Sequence, residues 1–333
     1  MERKGIALVG NILTDNVKFV QSYPEKGMLA TITSESLAVG GCVPNTGIDI
    51  AKLDPELPVS AYGRVGKDFK GEFVVDQMKK VGINTDGVTV SEIEPTSYSD
   101  VITVSGTGER TFFHNRGANK EFSPEHVRLE NINAKILHAG YLMLLDSFDK
   151  IFEDGSTPMS RMLEKAQKLG IKTSIDIVSE SSGNFFKVTK ASLPHCDYVI
   201  INEIEGGAIV GVEPRDKDGK LIEENIPVIL KKLMDLGIKE KVIVHCPEIG
   251  YCLDKSGKLT AVPSVKLPKG FIKGSVGAGD AFCAGCLYAI YNDYSDEETL
   301  SFANLVAINC LSEADSISGI KHKDKIKDVI KNF

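Results

Sequence analysis

The chain has 333 residues, 42% hydrophobic and 26% charged, enough to bury a sizeable core as one large α/β domain or two smaller ones. Its net charge of −7 argues against a nucleic-acid-binding surface, which needs a basic face. No apolar stretch approaches the length that crosses a bilayer.

The opening "MERKGIALVGNIL" pairs positive residues with an apolar run, but Gly5 and Gly10 interrupt it and "TDN" follows without a cleavage pattern. It reads as a first buried strand (5–11) of a soluble cytoplasmic protein. Residues 14–38 are polar and β-rich. "GGCVPNTGIDIAKL" then turns through Gly40 and Gly41 into a helix over 45–53, with Asn45 placed as its cap. A strand at 59–65 runs through "GRVGKDFKG" into a helix over 69–82. Residues 84–117 are again polar and β-rich, and within them "SGTGE" joins two strand-like runs as a hairpin. In its second strand Arg110, Phe112, His114 and Arg116 share one face, while Thr111, Phe113 and Asn115 share the other.

Beyond this, strands at 135–142, 172–178, 197–202 and 241–246 alternate with helices at 158–170 and 226–237, several ending in Gly. Alternation of this kind implies βαβ crossovers and a mostly parallel sheet with helices on both faces. After residue 280 come consecutive helices, the last of them basic and amphipathic. The two β-rich excursions, 14–38 and 84–117, are expected to project from a single 1–333 domain as a small sheet, serving as a lid or a dimerisation surface.

The stretch with most chemistry is "GSVGAGDAFCAGCLYAI" (274–290), a glycine-rich turn running into a helix with one carboxylate, Asp280. Such a turn presents free backbone N–H groups and the positive end of the helix dipole to an anion. The local alternative is an acidic residue stabilising the first helical turn. No GxxxxGK[ST] occurs, and no GxGxxG follows the first strand, which argues against a P-loop and a dinucleotide fold. Cys283 and Cys286 form a CxxC inside an apolar helix with no second pair and no nearby His, so they read as buried thiols rather than zinc ligands. Asn202 and Glu205 follow the apolar "YVII" at a strand end, where open α/β sheets bind ligands. They are oxygen donors suited to hydrated Mg²⁺, or a cap at a strand–helix junction.

The order "GNILTD", GG…N, GxVGxD, NExE and GAGD, spread over the whole chain, resembles the ribokinase-like (PfkB) carbohydrate kinases. The resemblance implies a three-layer α/β fold with a β-sheet lid, a homodimer formed through that lid, ATP as phosphoryl donor and a small sugar as acceptor. It implies Asp280 as catalytic base and the amides of Gly277, Ala278 and Gly279 as an anion hole. Asn202 and Glu205 match the element that organises Mg²⁺ through water; Asp15, Gly41 and Asn45 match positions that hold sugar hydroxyls. His245 and Gly250 fall in the nucleotide turn.

Three departures accompany the resemblance. "VIVHCPEIGY" places His245 where the family has Thr and Pro247 where it has the first Gly of a T-x-G-x-x-G turn, keeping Gly250. Gly274, Ser275 and Val276 replace an Asp-Thr-Thr that helps build a monovalent-cation site, and Cys42 and Pro44 enter the stretch before Asn45. Arg116 is the substrate indicator: facing the pocket it favours an acidic sugar, facing solvent or a partner lid it leaves Asp15 and Asn45 to a neutral one. A neutral sugar is the preferred expectation. A nucleoside under Phe112 or Phe113, an acidic ketodeoxy sugar, or a silent sugar-binding homologue are the alternatives.

Overall fold

The structure, a computed structural model, describes residues 3–178 and 184–331. The last two residues of the basic tail, 332 and 333, lie outside that range. Among the described residues thirteen strands form two sheets. The large one contains β1 (Ile6–Gly10), β4 (Val59–Gly66), β5 (Asn84–Ser91), β8 (Ile136–Leu142), β9 (Lys172–Ile177), β10 (Tyr198–Asn202), β11 (Lys241–His245), β12 (Ile249–Asp254) and β13 (Leu259–Pro263). Their order is β13-β12-β11-β10-β9-β8-β1-β4-β5. Every neighbour from β5 to β11 pairs parallel; β12 runs antiparallel to both of its neighbours, β11 and β13.

The helices are α1 (Cys42–Leu53), α2 (Phe69–Lys80), α3 (Pro158–Lys168), α4 (Phe185–Ser192), α5 (Glu203–Val210), α6 (Asn225–Asp235), α7 (Ala278–Tyr291) and α8 (Asp296–Leu311). Strand alternation feeds two cores. Ile6 and Leu8 of β1 pack with α1, α2, α7 and α8, while Ala7 and Val9 face the layer holding α3 and α6. All four side chains are fully buried, as a central parallel strand requires.

The second sheet contains β2 (Leu13–Val20), β3 (Ile32–Gly40), β6 (Ser97–Val104) and β7 (Arg110–Asn115), in the order β3-β2-β6-β7. β6 and β7 form the hairpin expected around "SGTGE", with Gly106 and Gly108 at positive φ in the turn. The segment 84–117 is not wholly part of it. β5, its first stretch, pairs parallel with β4 after the α2 crossover and so becomes the edge of the large sheet. The tail also differs from the expected α-helix, because Lys323–Ile330 form a 3-10 helix. The expected strands and helices otherwise appear with shifts of a few residues, and α4, α5, β12 and β13 are additional.

All seven cysteines are free and buried, Cys283 and Cys286 among them on α7. His138 is a core histidine, within 3.0 Å of the Ser174 hydroxyl through Nδ1 and pushed down to about 3 by burial. No helix among the described residues is long and apolar enough to cross a membrane.

Candidate active site

α1 and α7 meet head to head at the C-terminal edge of the large sheet. α1 starts after Gly41, whose φ of 90° is one that L-residues rarely adopt. A Cβ there would stand 2.6 Å from the Asn11 carbonyl oxygen. Glycine therefore lets the chain pass over the end of β1 and places Asn45 in the first turn of α1. α7 starts after Gly277, at φ 79°, where a Cβ would meet that of Ser316 at 2.3 Å. This close passage seats Ser316 beside the same first turn.

Between the two helix starts lies Asp280. Its Oδ2 accepts from Asn45 Nδ2 at 2.9 Å, and Ser316 Oγ donates to Asn45 Oδ1 at 2.9 Å. Its Oδ1 accepts from the Tyr141 hydroxyl at 2.6 Å. The carboxylate is buried, and burial raises it to about 6 against the pull of the Tyr141 and Asn45 hydrogen bonds. The first turn of α7 leaves N–H groups of the Gly277–Gly279 stretch without intrahelical acceptors beside it.

Asp15 arrives from the small sheet. It stands opposite Ala38 and Ser99, and Ser99 stands opposite His114. The Ser99 hydroxyl hydrogen-bonds Asp15 and lies 3.1 Å from His114 Nδ1. Burial, then the charge of Asp280, raises Asp15 to about 7. Gly40 leaves room for this carboxylate, since a Cβ there would lie 2.7 Å from Asp15 Oδ2. His114 is pushed down by burial and by Arg116, so it is neutral at pH 7.

Beyond the head of α7 opens a cavity of about 850 Å³, lined by Ala278, Gly279, Asn202, His245, Lys266 and Asn304 among others. His245 stacks on Phe282 with ring centroids 4.9 Å apart, and burial lowers it to about 4. Pro247 also lines this cavity, so the unusual turn forms part of its wall. Gly250 does not line it. A Cβ there would lie 3.3 Å from Leu300 and 3.5 Å from Phe282, the ring against which His245 packs.

Asn202 and Glu205 form a reciprocal cap: Asn202 Oδ1 accepts the Glu205 N–H at 2.8 Å, and Glu205 Oε2 accepts the Asn202 N–H at 3.0 Å. Asp176, near the end of β9, is half-buried near them, and desolvation, then Glu205 and Asp280, pushes its carboxyl well up. Among the described residues no group of three His, Cys, Asp or Glu stands in metal-ligating geometry. The arrangement suits a cation that keeps its water shell, because a positive charge offsets the repulsion between these carboxylates. Arg116 donates to the Met143 carbonyl at 3.0 Å and Asp146 at 2.8 Å. Gly274 packs under Ala314, whose oxygen a Cβ would meet at 2.7 Å, so an Asp does not fit this pairing of loops. The nearby Val276 and Ser316 carbonyls accept from the Cys310 thiol.

Sequence reading missed Tyr141, Asp49, Asp176 and Asn304. Asn304 Nδ2 has no protein partner beside the cavity. Asp49, one turn behind Asn45, is fully buried with neither oxygen paired, and burial holds its carboxyl well above the usual range. None of these belongs to a motif; the fold alone brings them in.

A buried carboxylate at the head of α7 thus stands near a second carboxylate, Asp15, and follows directly on Ala278 and Gly279 of the cavity wall. The pfkB family carbohydrate kinase pattern matches residues 3–323, and the chain belongs to that family of ATP-using kinases. An Arabidopsis thaliana ribokinase is 23% identical over 328 residues, covering 98% of this chain and 81% of that protein. The structure of Arabidopsis thaliana ribokinase complexed with ribose and ATP superposes with a TM-score of 0.82 at 21% identity, covering all of both chains. Methanocaldococcus jannaschii nucleoside kinase superposes at 0.74 with 20% identity, again over the full length of both.

Substituting Gly41→Ala is expected to cost about 1–3 kcal/mol or more, from a backbone region reserved for glycine plus the clash with Asn11. Thermal unfolding checks this; an unchanged midpoint contradicts it.

Proposed function

We propose that the protein transfers the γ-phosphoryl group of ATP to a hydroxyl of a neutral sugar, with Asp280 as the base. The observation that carries this is the position of Asp280, held by Asn45 and Tyr141 near Asp15 and directly after Ala278 and Gly279, which line the cavity. The attacking hydroxyl gives its proton to Asp280 as its oxygen bonds to the γ-phosphorus. The bond from that phosphorus to the bridging oxygen breaks, and ADP leaves with the electron pair. Amides of Gly277, Ala278 and Gly279 stabilise the charge on the moving group. Asp15, with Asn45 and the backbone at Gly41, orients the sugar through hydrogen bonds from adjacent hydroxyls.

The nucleotide occupies the cavity of His245 and Asn304. Its phosphates reach the head of α7, where His245 stands with Gly279 (a Cβ on Gly279 would lie 3.7 Å from its ring). Asn202 and Glu205 hold Mg²⁺ through water, and the ion screens phosphate charge when bound. ATP use suits a cytoplasmic location.

Two features favour a neutral acceptor. Asp15 and Asp280 already repel each other, so a third carboxylate in the cleft is unfavourable. The Arg116 guanidinium is engaged by Asp146 and Met143. A second reading, a nucleoside acceptor, has one specific support. Phe112, 57% exposed, lies on the Asp15 face of the small sheet, one rung beyond His114 and beside Val101 and Val17. An apolar group on the sugar could rest there.

Mg·ATP consumption against a panel of neutral sugars, acidic sugars and nucleosides separates these readings. Turnover is expected with a neutral sugar. Tight sugar binding without turnover for any acceptor would leave a silent binding protein. Asp280→Asn is expected to lower turnover by orders of magnitude, roughly 10²-fold or more, with sugar affinity little changed. Wild-type turnover in that variant contradicts the assignment of the base.

The small sheet, reaching from β2 into β3 and from β6 into β7, is proposed to act as lid and dimer surface within one 1–333 domain. Its exposed apolar residues Ile32, Phe112 and Phe113 and its open edges at β3 and β7 are stabilised when a second sheet covers them. Sedimentation at micromolar concentration is expected to give a dimer, and a monomer would contradict this.

A further inference from the structure

Asp280 is held at both oxygens, and only one of the two holders belongs to a motif. Asn45 takes Oδ2, and its own orientation is fixed by Ser316. The Tyr141 hydroxyl takes Oδ1 at 2.6 Å. A carboxylate turns easily about its last torsion, which has no sharp wells. One hydrogen bond leaves that rotation open; two donors, one on each oxygen, close it. Each oxygen has two acceptor sites, so this clamp leaves room for the acceptor hydroxyl.

Tyr141 is itself anchored from the centre of the sheet. Its N–H donates to Asn11 Oδ1. Asn11, fully buried at the end of β1, donates through Nδ2 to Leu144 O at 3.1 Å and through its backbone N–H to Gly140 O at 3.0 Å. The phenol remains a donor over the whole working range, because burial and the charge of Asp280 hold it well above the usual tyrosine value.

We propose that Tyr141 is a positioning residue that, with Asn45, fixes the plane of the Asp280 carboxylate and favours its ionised form. The inference rests on the reading of Asp280 as the base. Other groups also face Asp280: Asp15 from β2, Cys42 and Asp49 from α1, Asp176 from β9, and Cys283 and Cys310 from the terminal helices. All are acids, so they add no donor charge to replace the one Tyr141 supplies. Its removal moves the Asp280 titration upward.

Tyr141→Phe keeps the ring and removes one hydroxyl. For a hydrogen bond to a charged group, kcat is expected to fall roughly 10- to 100-fold. The KM for the sugar should stay within about threefold, and the acid limb of the kcat profile should move to higher pH. Incorporating fluorotyrosine strengthens the phenol as a donor without replacing any residue, and should move that limb to lower pH even if the Phe variant does not fold. An unmoved limb under both treatments, or a raised KM with unchanged kcat, overturns the proposal. Asp280→Asn is measured in parallel. If it is inactive while Tyr141→Phe behaves as wild type, only the role of Tyr141 fails. If it keeps wild-type turnover, the base assignment fails with it.

Discussion

The site depends on one buried carboxylate kept ionisable by neutral hydrogen-bond donors. Asp280 has no cationic partner among its hydrogen bonds; the Asn45 amide and the Tyr141 phenol satisfy it instead. A nearby Lys or Arg would drive its pKa down and make it a poor base, whereas burial pushes it up and favours the protonated form. With both hydrogen bonds opposing burial it stands at about 6. Other features follow from holding that balance. Gly41 and Gly277 let two helix starts crowd together, and Ser316 orients the amide.

The same crowding links the sheets. Asp15 comes from the small sheet yet feels the charge of Asp280 on α7, so the packing of the two sheets brings two carboxylates together. A polyol placed between them donates to both and relieves the repulsion. This electrostatic constraint is the physical argument behind the proposal of a neutral, hydroxyl-bearing acceptor. On the far side of α7, His245 rests on Phe282, whose ring also faces Gly250. The altered turn thus keeps a continuous wall even though Pro247 has no N–H to offer.

The βαβ order was legible because strand and helix periods differ and because Gly closes the helices. β5 was misplaced since "NTDGVTVS" is half-polar: it lies on the sheet edge, where one side meets solvent, and so looks like a strand of the small sheet. The helix starts that bring Asn45 to Asp280 were legible because glycine-rich turns mark where backbone must approach closely, whereas Asp15 came into view only through the family resemblance. Tyr141 was not, since a tyrosine ending an apolar strand has no local pattern, and its role exists only once β8 and α7 are packed. Asp49 was hidden in the same way: on α1 it occupies an ordinary helical position, and only the fold reveals a buried, unpaired carboxyl. Gly250 shows the converse. Its place in the nucleotide turn came from the resemblance, and only the fold shows that it faces Leu300 and Phe282.

The most direct test of the central claim is the pH dependence of sugar-dependent phosphoryl transfer by the unaltered protein at saturating ATP. Protonated Asp280 cannot act as a base, so activity should fall as pH drops through about 6, with a slope of one proton. A rate that stays flat from well below that value up to neutrality would contradict the account.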